Sequence, residues 1–240
     1  MELKQLCELQ GISGREEPVR MAIYHECVEK LGKENVTIDK MGNVIAHKAG
    51  MKADAPHVML TAHMDEVGLM VINATDDGLL RVRAIGGIDP RVLVSKRVRV
   101  GYDVPAKDGK GEKKAISGVI GAMAIHQQSA ADRKNVLPID QLFVDIGAEN
   151  KEEALKMVQL GDVCVYAPDC FMLGEHRVAS PAMDDRCAVA LLAQLLLDVE
   201  NTRNHIVAVF STQEEVGLRG ANVAAYTVAP DLGVALDVTG

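Results

Sequence analysis

The residues of this 240-residue chain that could do chemistry fall in four short stretches. They are Thr61-Ala62-His63-Met64-Asp65-Glu66-Val67-Gly68, Pro181-Ala182-Met183-Asp184-Asp185-Arg186, Ser211-Thr212-Gln213-Glu214-Glu215-Val216-Gly217 and Ala235-Leu236-Asp237-Val238-Thr239. Each follows, or lies in, strongly apolar sequence, where a charge is costly to desolvate unless it is paired or bound to a cation. That shared placement points to a metal site rather than to four unrelated acidic spots. His63 and Asp65 lie two apart on an extended stretch and can face the same way, the imidazole as ligand and the carboxylate as the group that orients it. Asp184 offers two oxygens and can bridge two cations about 3.5–4 Å apart. Glu214 and Glu215 are adjacent and must diverge, so that one reaches a metal while the other faces a bound water. Asp237 closes a further apolar run. Taken singly, each has an ordinary alternative: a satisfied strand-end histidine, an acidic cap at a helix N-terminus with Arg186 pairing locally, a solvated acidic pair, and a strand-end aspartate.

The elements that must carry these residues read as alternating strand and helix. Ser13 with Glu16 three residues on has the spacing of a capping box, and Pro18 suits a first helical turn. Val19, Ile23, Cys27 and Leu31 then recur at helical spacing up to Gly32. Residues 36–39 and 44–47 alternate around Met41-Gly42-Asn43 as a hairpin, and the apolar run 57–62 reads as a buried strand that ends on His63. Helices at 187–199 and 218–226 and strands at 206–211 and 232–237 follow the same α/β logic. Between about 69 and 167 short strands separated by Gly- and Asp-rich turns dominate, apart from a helical stretch at 150–158, and Asp108 to Lys114 has the composition of a hairpin tip or loop. The expected fold is therefore α/β, with a mainly parallel sheet in a discontinuous domain (1–68 and 168–240). An inserted small β-rich domain occupies 69–167.

Composition narrows the function classes. Hydrophobic residues make up 48% and charged residues 25%, the profile of a globular chain with a real core. A net charge of −8 disfavours nucleic acid as a partner. Aromatics total 3% with no Trp, which disfavours a stacking platform for sugars or single strands. The apolar stretch from Ala188 to Leu197 is broken by Gln194 and too short to span a bilayer, so no membrane association is expected. The five cysteines are scattered and form no CxxC pair, which suits a reducing cytoplasm.

At these same motifs the chain resembles the M42 family of metallo-aminopeptidases, the glutamyl and deblocking aminopeptidases. The resemblance rests on Ala62 to Gly68, the Met183-Asp184-Asp185-Arg186 turn, Glu214-Glu215-Val216-Gly217 with Arg219-Gly220-Ala221 behind it, and Leu236-Asp237-Val238, and it extends from Ser13-Gly14-Arg15-Glu16 to the last residues. It implies that His63 binds one metal, Asp184 bridges, Glu215 binds one metal and Asp237 the other. Glu214 is then the general base and Asp65 orients His63. It further implies that 1–68 and 168–240 form a zinc-peptidase-like catalytic domain, with two divalent ions, zinc or cobalt, peptide substrates cut at the amino-terminal bond, and homo-oligomers, from a dimer to a dodecamer, built through the inserted domain.

One departure stands out. Family members carry a further histidine ligand well downstream of the position of Asp237, whereas His25, His47, His57, His126, His176 and His205 all precede it. The pattern reads as a C-terminal truncation that leaves a core face exposed. Two other readings therefore stay open: an inactive or truncated M42-like assembly module, and, less well matched to the low aromatic content, a glycosidase built on paired acids.

Overall fold

The apolar runs become strands and the periodic segments become helices in a computed structural model that describes residues 2–102, 104–105, 112–113, 115–130 and 132–239. In chain order the elements are α1 (Leu3–Glu8), α2 (Glu17–Leu31), β1 (Val36–Ile38), β2 (Val44–Lys48), β3 (His57–His63), β4 (Gly68–Ala74) and β5 (Leu80–Ile85). Then come β6 (Arg97–Val100), β7 (Val104–Pro105), β8 (Glu112–Lys113), β9 (Ile116–Gly121), β10 (Phe143–Asp145), α3 (Lys151–Met157) and β11 (Val163–Tyr166). The remainder are β12 (Phe171–Leu173), β13 (Arg177–Ala179), α4 (Met183–Asp198), β14 (His205–Ser211), α5 (Arg219–Val228) and β15 (Leu232–Ala235). They group into two units, Met1–Glu66 with Pro168–Gly240, and Val67–Ala167.

The first unit is built on a five-stranded sheet of order β1-β2-β14-β3-β15. β14, β3 and β15 run parallel, but β1 with β2 and β2 with β14 are antiparallel, so the sheet is mixed rather than mainly parallel. The cause is the tight turn at Met41-Gly42-Asn43, since a short hairpin can only join antiparallel strands. Asp39 Oδ1 accepts the amides of Met41, Gly42 and Asn43 at 2.9, 2.9 and 3.0 Å, and Gly42 takes φ 97°, which a glycine adopts without strain. Alternation along the strands splits the core in two. Val44, Ala46, Ala62, Ala208 and Phe210 pack against α2 and α4, while Ile45, Met59, Val207 and Val209 pack with Ala224 of α5.

One local expectation and one local alternative give way to tertiary contacts. The Ser13–Glu16 pair forms no side-chain cap on α2; the Ser13 hydroxyl donates instead to Asp65 Oδ2 at 2.6 Å. Arg186 does not pair locally either. It is fully buried, and its guanidinium donates to the carbonyls of Met64, Leu6 and Leu9 at 2.8, 2.6 and 3.1 Å and faces Glu66 Oε1 at 3.5 Å.

The second unit is a closed six-stranded barrel of order β10-β5-β4-β11-β6-β9 in which every pairing is antiparallel. Closure leaves no unpaired strand edge. Leu69, Val71, Leu80, Val82, Val98 and Val144 are among the side chains that fill it. Asn150 caps α3 by accepting the Glu153 amide at 3.0 Å. Of the stretch 108–114 only Glu112 and Lys113 are among the described residues, paired as β8 with β7; the rest of that expected loop lies outside them. No helix among the described residues is long and apolar enough to cross a membrane.

Candidate metal centre

The site lies at the carboxyl ends of the parallel strands, where open α/β sheets place their ligands. β3 ends on His63, and its neighbour β14 ends on Ser211 in register with it, so the Gln213-Glu214-Glu215 turn leaves the sheet beside the imidazole. On the other side β15 continues past its last paired residue. The Leu236 amide donates to the Thr61 carbonyl at 2.8 Å and brings Asp237 to the same edge. The start of α4 supplies Asp184 and Asp185, both in non-helical conformations. Left-handed backbone brackets these acids at Ala182 (φ 57°), Gln213 (φ 54°) and Leu218 (φ 56°), a cost of the kind that clusters at functional sites.

These elements bring all six expected site residues together around one ring nitrogen or onto its supporting turn. His63 Nε2 is 3.0 Å from Asp184 Oδ1, 3.9 Å from Glu214 Oε2 and 4.0 Å from Asp237 Oδ1. His63, Glu214 and Glu215 each offer a ligand atom within 4.8 Å of the others, and so do His63, Asp185 and Asp237. Asp185 was not singled out from sequence as a ligand. It is fully buried, accepts the His63 amide on Oδ2 at 3.2 Å and leaves Oδ1 without a hydrogen-bond partner. One imidazole, four carboxylates within ligand reach of it and an unpartnered buried oxygen make a donor set that fits borderline divalent ions such as zinc.

Asp65 supports this set in two ways. His63 Nδ1 lies 3.0 Å from the Asp65 carbonyl oxygen and 3.6 Å from its Oδ1, so the main chain is the nearer partner of the ring. The carboxylate is committed elsewhere, accepting the Glu214 amide on Oδ1 at 2.9 Å and the Glu215 amide on Oδ2 at 3.2 Å. The far end of the acidic turn is gripped by Asn43. Its Oδ1 accepts the Thr212 amide, and its Nδ2 donates to the Gly220 carbonyl, both at 3.0 Å. A Cβ at Gly220 would run into the Thr212 backbone and Asn43 Oδ1, which is why glycine stands there.

Electrostatics follow from crowding acids around one ring. Burial works against charging His63, but the carboxylates of Asp65, Asp185 and Glu214 outweigh it and raise its pKa to about 9. Burial, with Asp237 and Asp184 adding to it against His63, pushes Asp185 up to about 7. Burial and then Asp184 push Glu215 up to about 7, and burial with Asp237, Asp65 and Asp184 raises Glu214. Burial would also raise Asp65, yet the neighbouring His63 ring and the bonds from Ser13 and the Glu214 amide hold it below the usual carboxylate range. A divalent ion held by these groups would compete with the ring proton and offset the repulsion among the acids, the coupling expected of a ligand cluster.

Comparison with known proteins bears on what this set belongs to. A family profile described as M42 glutamyl aminopeptidase matches residues 42–240. The chain belongs to the M42 peptidase family. A lysyl aminopeptidase of Pyrococcus furiosus is 38% identical to this M42 chain over 239 residues, covering 99% of it and 65% of the relative. An aminopeptidase structure from the archaeon Desulfurococcus kamchatkensis superposes with a TM-score of 0.88 at 37% identity, covering 99% of this chain and 62% of that one. The Pyrococcus horikoshii TET1 peptidase, described as assembling into a tetrahedron or a large octahedral shell, gives a TM-score of 0.82 at 35% identity over 98% of this chain and 67% of its own. The M42 chain thus spans about 65% of the length of the curated relatives it matches. These neighbours have an α/β peptidase fold, and the first unit shares it.

Proposed function

We propose that this M42 chain carries the metal centre of an aminopeptidase that hydrolyses the amino-terminal bond of peptides. The supporting observation is the convergence of Asp184, Glu214 and Asp237 within 4.0 Å of His63 Nε2, at the strand ends of a fold shared with aminopeptidases. Two divalent ions, zinc or cobalt, are the proposed cofactors. His63 and Glu215 would hold one, Asp237 with the nearby Asp185 would hold the other, and Asp184 would be shared. Bound there, the ions supply Lewis acidity to the scissile carbonyl and the attacking water.

The protein's own groups do the rest. Glu214 stands near the imidazole with a raised pKa and part of its surface open, which suits a base that takes the water's proton and returns it to the departing amine. The Asp65 carbonyl fixes the His63 ring, while the Asp65 carboxylate fixes the backbone that carries the base. A free substrate amine that binds an ion held there, or a carboxylate beside it, would select chain ends over internal bonds. We further propose that residues 69–167 act as a dimerisation domain, that copies of the chain assemble as the Pyrococcus horikoshii relative does, and that the protein works in the cytoplasm, a setting suited to its five free thiols. The decisive experiment is release of the amino-terminal residue from unblocked peptides with added zinc or cobalt, compared with the same peptides acetylated. Metal-dependent cleavage of the free peptides alone supports the reading. No cleavage by metal-loaded protein favours a non-catalytic assembly role.

A further inference from the structure

Glu16 is 1% exposed, and a buried carboxylate is costly unless its oxygens are hydrogen-bonded. It stands at the start of α2 but makes no side-chain cap bond there. Its Oε1 accepts the Gly14 amide at 2.6 Å and, 197 residues along the chain, the Gln213 amide at 3.2 Å. Its Oε2 faces Arg20 Nη2 at 3.4 Å, and Arg20 Nε donates to the Gly42 carbonyl at 2.8 Å. Gln213 takes the left-handed φ of 54°, a conformation that is strained for a non-glycine residue and persists only where its surroundings fix it. The next two residues are the proposed base and a proposed ligand. Their amides are accepted by Asp65, and Asp65 Oδ2 in turn accepts the Ser13 hydroxyl at 2.6 Å. Three consecutive amides of the acidic turn therefore end on two buried carboxylates, and the segment 13–16 supplies one of them and anchors the other.

We infer that Glu16 and Ser13 are positioning residues that hold the Gln213-Glu214-Glu215 turn in its ligand-presenting shape. The inference deepens the peptidase reading and rests on it. Neither residue touches substrate or metal; both act through the backbone that aims Glu214 and Glu215. Partners of this kind typically shift metal affinity or activity about 10–100-fold.

The test compares the whole chain with its Glu16→Ala, Glu16→Gln and Ser13→Ala variants. The readouts are amide hydrogen exchange at residues 213–215, cobalt affinity by calorimetry, and kcat and KM on an unblocked peptide. Glu16→Ala should speed exchange at Gln213 at least about tenfold, weaken cobalt binding about 10–100-fold and lower kcat similarly, with KM changing less than about threefold. Glu16→Gln keeps an oxygen acceptor and should recover most of each loss. Ser13→Ala, which deletes one bond, should move the same readouts in the same direction by less. Variants that lose thermal stability while exchange at 213–215 and cobalt affinity stay at wild-type values would overturn the inference. If the wild-type chain binds cobalt but cleaves no peptide, the peptidase reading fails while exchange and cobalt affinity still decide this one. If it cleaves normally and the Glu16 variants match it in every readout, this inference fails alone.

Discussion

The two units bury different things. Every buried polar or charged side chain among the described residues lies in the first unit: Gln10, Ser13, Glu16, Asn43, Thr61, His63, Asp65, Glu66, Asp185, Arg186, Ser211 and Thr212. The barrel of the second unit is filled by apolar side chains alone. Closure pairs the barrel strands with one another, and most of the described side chains that bond backbone there, such as Thr75 to the Leu79 amide and Asn150 to the Glu153 amide, reach only a few residues along the chain. The open sheet ends at His63 and Ser211, and its loops must be held by hydrogen bonds from residues far away in sequence. In this molecule buried polarity marks the positions where geometry has to be fixed, and it concentrates around the acidic cluster.

The contrast can be broken by substitution. The largest expected effect is at the proposed base: Glu214→Gln keeps the shape of the site and should reduce turnover by about 10²–10⁴-fold with metal content unchanged. Unchanged turnover would remove Glu214 from that role. Next comes Arg186→Ala, which strands Glu66 and three carbonyls in the interior and should destabilise the protein by about 3–5 kcal/mol in urea titrations. A loss below about 1 kcal/mol would mean that the buried guanidinium is not what ties Leu6, Leu9 and Met64 together. In the barrel, Leu80→Ala should cost about 2–5 kcal/mol through a cavity while leaving metal affinity untouched, and a large change in metal affinity would contradict the division of labour. Smallest is Asn43→Ala, which leaves the Thr212 amide without its acceptor, at about 1–3 kcal/mol, with faster amide exchange confined to the acidic turn.

The same contrast governs what could be read in advance. The strands and the site acids were legible because each acid or histidine directly follows an apolar run, a pattern that needs no knowledge of partners. Thus His63, Glu214 and Asp237 were visible as candidates before their mutual distances were known. Ser13 and Glu16 were misread as a capping box because their three-residue spacing satisfies the local rule, while Asp65 and Gln213 lie outside any local window. Arg186 likewise finds its partners, Leu6, Leu9, Met64 and Glu66, outside any local window. Asp185 was hidden by its neighbour, since adjacent acids at a helix start read as one cap. Barrel closure was invisible because alternation in short strands reports which face is buried but not whether the first strand meets the last. The mixed sheet is the reverse case: the β1–β2 hairpin is legible in sequence, but whether it joins the parallel strands in one sheet depends on the β2–β14 pairing, which no local pattern reports.

The central claim is that His63 and the acids around it form a divalent-ion site. Calorimetric titration of chelator-treated protein with cobalt tests it most directly, comparing wild type with His63→Ala. Saturable binding by the wild type, weakened at least about 100-fold in the variant, is the predicted result. No binding by the wild type, or equal binding by both proteins, would contradict it.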